Sequence, residues 1–296
     1  MTEVRPRHLH ELVLALRADG KVAPRTIRHV YATLRTMFHD AVAFEVIDVT
    51  PCVLERGVLP KKVDKDPNWR HTAIFGRHEV ETLIADLRIL PDRRVLHALK
   101  ALAGLRHAEA AELTWAQIDT NLEPLGGILL GKTKSGVPRR VPIHPVLARV
   151  LSGWAELGWE RAYGRRHTPE DLVVPARTLA PRNKADAAHA FRADLETLGL
   201  RTRRGHDLRR TFISLALEDG ARRDLLETVS HGPRGDIISV YSTFPWPALC
   251  AEVAKLEIAF PEGREREFPT AERKAANRWR KVVTPPGLEP CETPFS

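Results

Sequence analysis

Between Thr26 and Ala41 the apolar residues Ile27, Val30, Tyr31, Leu34, Met37, Phe38 and Ala41 recur at intervals of three and four. Residues at that spacing share one side of an α-helix and fall on both faces of a strand. The segment is therefore an amphipathic helix that must bury its apolar side. Pro24 stands at the expected start, where a missing N–H costs nothing, and Thr50-Pro51 lies beyond the end. Tyr31 falls inside the stripe, which makes it a core residue. Arg25, Arg28 and Arg35 fall off the stripe, on a surface suited to water or to phosphates.

The same period returns along most of the chain. Leu9, Leu12, Val13 and Leu16 mark a helix over 8–18, stopped by Gly20. Val80, Leu83, Ile84 and Leu87 mark another before Pro91, and residues 93–103 form a very apolar third. Gly104 breaks it, and a further helix begins beside Arg106. Helices are also expected at 145–158, 184–199, 208–217 and 221–229, and a last one carries Leu249, Val253, Leu256 and Phe260. Residues 127–144 differ: Ile128, Leu129 and Leu130 are strand-like, Ser135-Gly136 is a turn, and Arg140 to Ile143 returns as a β-hairpin. The expected fold class is mostly α with a small β-hairpin or sheet, α+β. Residues 160–182, rich in Arg, Pro and Gly, read as a surface loop.

Two helices in fewer than about 60 residues bury little surface, so residues 1–57 read as a partial helical domain. Residues 58–71 are polar, hold two prolines and include Lys61 and Lys62; they read as a basic linker. A second globular unit runs over 72–262, and the charged, then Pro-rich residues 263–296 are expected to be disordered. The length of 296 residues and a 43% hydrophobic content suit such an arrangement. A net charge of +8 and a pI near 9.7 favour a polyanionic partner, nucleic acid first. No run of 18 apolar residues exists, so no transmembrane helix is expected. Residues 1–6 are not followed by an apolar signal core. Cys52, Cys250 and Cys291 are far apart and form neither a zinc pattern nor a disulfide framework, which fits a reducing cytoplasm.

The residues that carry chemistry gather in the second unit. His206 and Arg209 are three apart near a helix start and project from one face. An imidazole beside a guanidinium suits an anion, above all a phosphate. Arg106 lies where two apolar helices meet. Burying a guanidinium unpaired is costly, so it needs an anion or a carboxylate, and Glu109 is placed to hold it. Lys132 and Lys134 flank the hairpin turn. Arg201, Arg203, Arg204 and Arg210 surround His206 as a dense basic patch. His231 and then Tyr241 follow across a Gly/Pro loop, where a tyrosine suits a mobile nucleophile.

GLRHAEAAEL at 104–113, TKSG at 133–136, HDLRRTF at 206–212 and the SHG…Y ending resemble the tyrosine recombinase (phage integrase) family over residues 72 to about 260. The helix at 25–45 followed by Thr50-Pro51 resembles the end of that family's core-binding domain. The resemblance implies a site-specific recombinase or integrase of a mobile element. Such an enzyme acts on double-stranded DNA as a homotetramer on two sites, with no metal or other cofactor and no membrane. Arg106 and Arg209 would clamp the non-bridging phosphate oxygens, whose charge grows in the pentavalent transition state. Tyr241 would attack phosphorus and form a 3′-phosphotyrosyl bond. Lys134 matches the family's general acid, with Lys132 as the alternative. His206 would take the tyrosine proton, and His231 would donate to a phosphate oxygen. DNA contacts are expected from Arg25, Arg28, Arg35, Lys61, Lys62, Lys132, Arg201, Arg203, Arg204 and Arg210. Two rivals share these residues: a type IB topoisomerase-like relaxer, and a DNA-binding remnant that no longer cleaves.

Overall fold

The computed structural model describes residues 3–61, 68–131, 138–231, 244–264 and 267, with backbone alone at 70 and 71. The chain divides into two compact units, Met1–Arg70 and His71–Ser296.

The first unit pairs α1 (Pro6–Asp19) with α2 (Pro24–Ala43). Proline opens both helices, and Gly20 at φ 65° closes α1 in the left-handed conformation that glycine adopts without strain. Val13, Ile27, Tyr31 and Val58 form the buried cluster, joined by Leu16, Cys52, Leu54 and Leu59. Tyr31 is core, as its place in the stripe requires, and its hydroxyl donates to Cys52 O (2.9 Å). The buried stripe is narrower than expected, because Val30 and Met37 are exposed. The expected linker starts on this fold: Val58 is buried, Arg17 donates to Val58 O (2.8 Å) and Arg28 to Pro60 O (3.1 Å). Lys62 lies outside the described residues.

The second unit is mostly helical around a small sheet. After a short α3 (Trp69–Thr72), α4 (Arg77–Ala85) and α5 (Pro91–Leu102) lead to α6 (His107–Ala111). An antiparallel sheet follows in the order β1 (Ile118–Asp119), β2 (Gly127–Leu130), β3 (Arg139–Pro142). Ile128 pairs with Val141 and Leu130 with Arg139. Ile128, Leu130 and Val141 face the core and Leu129 faces out, the alternation that a pleated strand dictates. α7 (Pro145–Gly153) runs through a π-helical turn at Trp154–Gly158 into α8 (Trp159–Tyr163). Then come α9 (Lys184–Thr197), α10 (Asp207–Glu218), α11 (Arg223–His231) and α12 (Trp246–Ala254). α5 lies at the centre, packed on α4, α6, α7 and α10, so that its residues from Arg94 to Leu102 are all buried, His97 and Lys100 included.

Two expectations fail here. Residues 160–182 are not simply a surface loop. Val173 and Val174 are fully buried, Val173 N–H donates to Leu113 O (2.8 Å), and Trp154 Nε1 donates to Val173 O (2.7 Å). The last helix ends at Ala254, short of Leu256 and Phe260. Beyond it Leu256, Ile258 and Phe260 are buried while Glu257 and Ala259 are exposed, the period of extended chain. Residues 256 and 260 fit both periods, and Ile258 shows which one applies. His144, buried, bonds Leu256 O through Nε2 (2.7 Å) and pins this segment down. Of the expected tail, residues 265–266 and 268–296 lie outside the description. Among the described residues no helix is long and apolar enough to cross a membrane.

Candidate phosphate-binding site

Arg106 owes its position to the break between α5 and α6. Gly104 turns the chain at φ 61°, and a Cβ there would meet Phe212 Cδ1 at 2.6 Å, so the site admits glycine alone. Two residues later Arg106 stands in extended conformation as the N-cap of α6. Its backbone N–H donates to Glu109 Oε2 (2.8 Å) and its Nη1 to Glu109 Oε1 (2.7 Å). The Arg106 side chain is 29% exposed, so part of the guanidinium meets solvent.

Glu109 is held from two sides. Arg139 of β3 donates through Nη1 to Oε1 (2.9 Å) and through Nη2 to Oε2 (2.7 Å), a planar fork on the carboxylate. Burial alone would raise the Glu109 carboxyl. The hydrogen bonds from Arg139 and from the Arg106 N–H outweigh it and bring the pKa down to about 2. Arg139 Nε donates to Val229 O (3.2 Å) at the C-terminal end of α11. The Arg139 side chain is 3% exposed, and it was absent from the expected site. Its partners stand 30 and 90 residues away in sequence, and no local spacing announces them.

Arg209 enters from the first turns of α10 and is buried. Its Nη1 donates to Gly104 O and its Nη2 to Ser230 O (2.5 Å). Its nearest partners are thus backbone carbonyls, which leave its charge unneutralised. Burial, then repulsion from Arg106, lower its pKa to about 10, well above neutral. The same bonds tie the Arg106 junction to the end of α11. There Ser230 Oγ lies 2.8 Å from His231 Nδ1, and the histidine itself is exposed. His206 is exposed just before α10. Lost solvation first, then the charges of Arg209 and Arg210, hold its ring below the usual imidazole value.

The structure thus brings Arg106, Glu109 and Arg209 together, adds Arg139, and places the end of α11, with His231, against Arg209. Lys132, Lys134 and Tyr241 lie outside the described residues. Phe244, three residues beyond Tyr241 in sequence, packs on the core. The other two tyrosines are engaged: Tyr31 as above, and Tyr163, half-buried, whose hydroxyl donates to Pro175 O (2.8 Å).

The basic residues divide. Arg201 and Arg204 are exposed, Arg204 pairing with Asp207, and Arg210 lies 3.7 Å from the same carboxylate. Arg203 departs from the expected DNA contact. Its side chain is 5% exposed, forks onto Glu79 (2.8 and 2.9 Å) and stacks 4.3 Å over Phe75. Glu79 is 124 residues away, so the run of arginines hid this role. In the first unit Arg25, Arg35 and Lys61 are exposed. Arg28 and Arg35 line an open groove of about 450 Å³ with Arg56, which the sequence did not single out.

A model of the phage integrase family matches residues 75–231. Among solved structures, the Tn1549 transposon integrase in complex with circular intermediate DNA is 15% identical, with a TM-score of 0.56 and 85% of each chain covered. A lambda integrase dimer bound to a COC′ core site is 14% identical, with a TM-score of 0.58 and 83% of each chain covered. The XerH site-specific recombinase bound to difH is 16% identical, with a TM-score of 0.58 over 77% of this chain and 64% of the other. At such identities the likeness is one of fold. Comparison with curated proteins gives no match.

Proposed function

This chain belongs to the phage integrase family, and from that premise we propose that it cleaves and rejoins DNA strands as a site-specific recombinase of a mobile element. The observation that carries the proposal is the corner where Arg106 and Arg139 bond a single carboxylate, Glu109, and Arg209 adds its charge beside them. It holds an excess of positive charge, built largely below the surface, with one guanidinium still open to solvent. A phosphodiester is the anion that suits it.

In this reading Arg106 and Arg209 bind the non-bridging oxygens of the scissile phosphate and stabilise the added charge of the pentavalent state. Tyr241 attacks phosphorus in line, the hydroxyls of Tyr31 and Tyr163 being engaged by backbone carbonyls. A phosphotyrosyl bond forms to the 3′ side as the bond to the 5′ oxygen breaks. Lys134, or Lys132, protonates that oxygen as it leaves, and His206 takes the proton from Tyr241. His231 donates to a phosphate oxygen. The new phosphodiester keeps the energy of the old one, so a second 5′ hydroxyl reverses the step. Residues 72–262 carry this chemistry. Residues 1–57 and the linker 58–71 add phosphate contacts through Arg25, Arg28, Arg35, Lys61 and Lys62. The DNA-bound state of the structural relatives supports double-stranded DNA as partner. Exchange of two strands between two sites calls for four copies.

The test is a nicked suicide duplex carrying the junction sequences of the element that encodes the chain. A covalent protein–DNA adduct that survives denaturant should form, and Tyr241→Phe should abolish it. An adduct that persists in Tyr241→Phe overturns the nucleophile; no adduct from the unaltered protein, with DNA binding retained, overturns cleavage.

A further inference from the structure

Arg139 is buried, yet its side chain donates more hydrogen bonds in the corner than that of Arg106 or Arg209. It is the first residue of β3, paired with Leu130 of β2. Its fork covers both oxygens of Glu109, and its Nε reaches Val229 O. Arg106 places only its backbone N–H and Nη1 on the same carboxylate.

That division of partners has an electrostatic consequence. A carboxylate 2.7 Å from a half-buried guanidinium would by itself neutralise it and draw it into a fork. Here Glu109 is already forked by Arg139, and the two charges cancel within a nearly closed pocket, at 3% and 5% exposure. Arg106 then keeps its Nε, its Nη2 and its net charge for an anion. We propose that Arg139 is a positioning residue. It neutralises Glu109 so that Arg106 stays charged and turned toward the scissile phosphate, and its bond to Val229 O holds the end of α11 that carries His231. The inference rests on the reading of Arg106 as a phosphate clamp. It adds that Glu109 without Arg139 is inhibitory.

The test is a set of variants examined for fold by circular dichroism, then by two readouts. One is the single-turnover rate of adduct formation on prebound nicked duplex. The other is the slope of log affinity against log salt on a short plain duplex. Arg139→Met should slow adduct formation about 100-fold, the lower end of the range for a lost transition-state donor. It should also reduce the salt slope by about 0.9, one phosphate contact. Adding Glu109→Gln should restore the slope and most of the rate, whereas Glu109→Gln alone should slow the reaction. A purely structural arginine gives no such rescue. Should Arg139→Met not fold, Arg139→Lys, which keeps the charge and loses the fork, replaces it with a smaller loss and the same rescue expected. Unchanged rate and slope in the folded variant, or no rescue by Glu109→Gln, overturns the proposal. Absence of adduct from the unaltered protein overturns cleavage instead, and the salt slope still decides the role of Arg139.

Discussion

The unit of residues 1–70 closes over Val13, Ile27, Tyr31 and Val58 and leaves Arg25 and Arg35 in water. The unit from His71 onward closes over a continuous core from Phe75 to Phe260 and holds Arg139, Arg209 and Glu109 almost out of water. Burying a charge is tolerable only where enough surrounding structure fixes its partners, and a two-helix unit has too little interior for that. One unit therefore offers charge from its surface, by number. The other offers charge held in place before any ligand arrives.

The largest test of this contrast is a core truncation in each unit. Leu99→Ala, at a fully buried position on α5, should cost about 2–5 kcal/mol. It should also lower the hydrogen-exchange protection of α10 and α11. Ile27→Ala, 2% exposed, should remove protection across residues 3–61 while leaving the second unit as it was. Protection lost in both units after either change would break the contrast.

A smaller effect concerns His206. In the proposed role of proton acceptor it has to be neutral, and its ring is held below the usual imidazole value by lost solvation and the nearby arginines. The rate of adduct formation should then be insensitive to this group at neutral pH and fall only as pH drops below the usual imidazole range. Arg210→Gln removes one of the charges that depress the ring, so the acid limb of the pH–rate profile should move to higher pH. A limb that stays or moves down removes His206 from that role.

Smallest is a pair of arginines. Arg35→Ala should weaken binding equally on all duplex sequences and reduce the salt slope by about 1. Arg203→Ala should leave the slope alone and lower the melting temperature, since its fork to Glu79 and its stack on Phe75 are lost. A slope change in Arg203→Ala would return it to the DNA surface.

Much of this was legible along the chain. A helix needs only near neighbours, so apolar spacing located α2 and α5, and Gly104 marked the break that exposes Arg106. The three-residue spacing of Arg106 and Glu109 foretold their pairing, because both lie on one turn. Other features were hidden by distance. Val173 and Val174 sit in a stretch of polar and turn-forming residues, and they are core only because Leu113 lies alongside. Leu256 and Phe260 obey two periods at once.

By itself, the amino-acid order determined which segments are helical, where the hairpin lies, and which short motifs bear arginine and histidine, since each depends on residues within a few positions. Only the tertiary structure decided which arginines face an anion and which are held inside. Glu109 meets Arg139 and Glu79 meets Arg203 across 30 and 124 residues. The charge a guanidinium presents is set by the partner that folding brings to it.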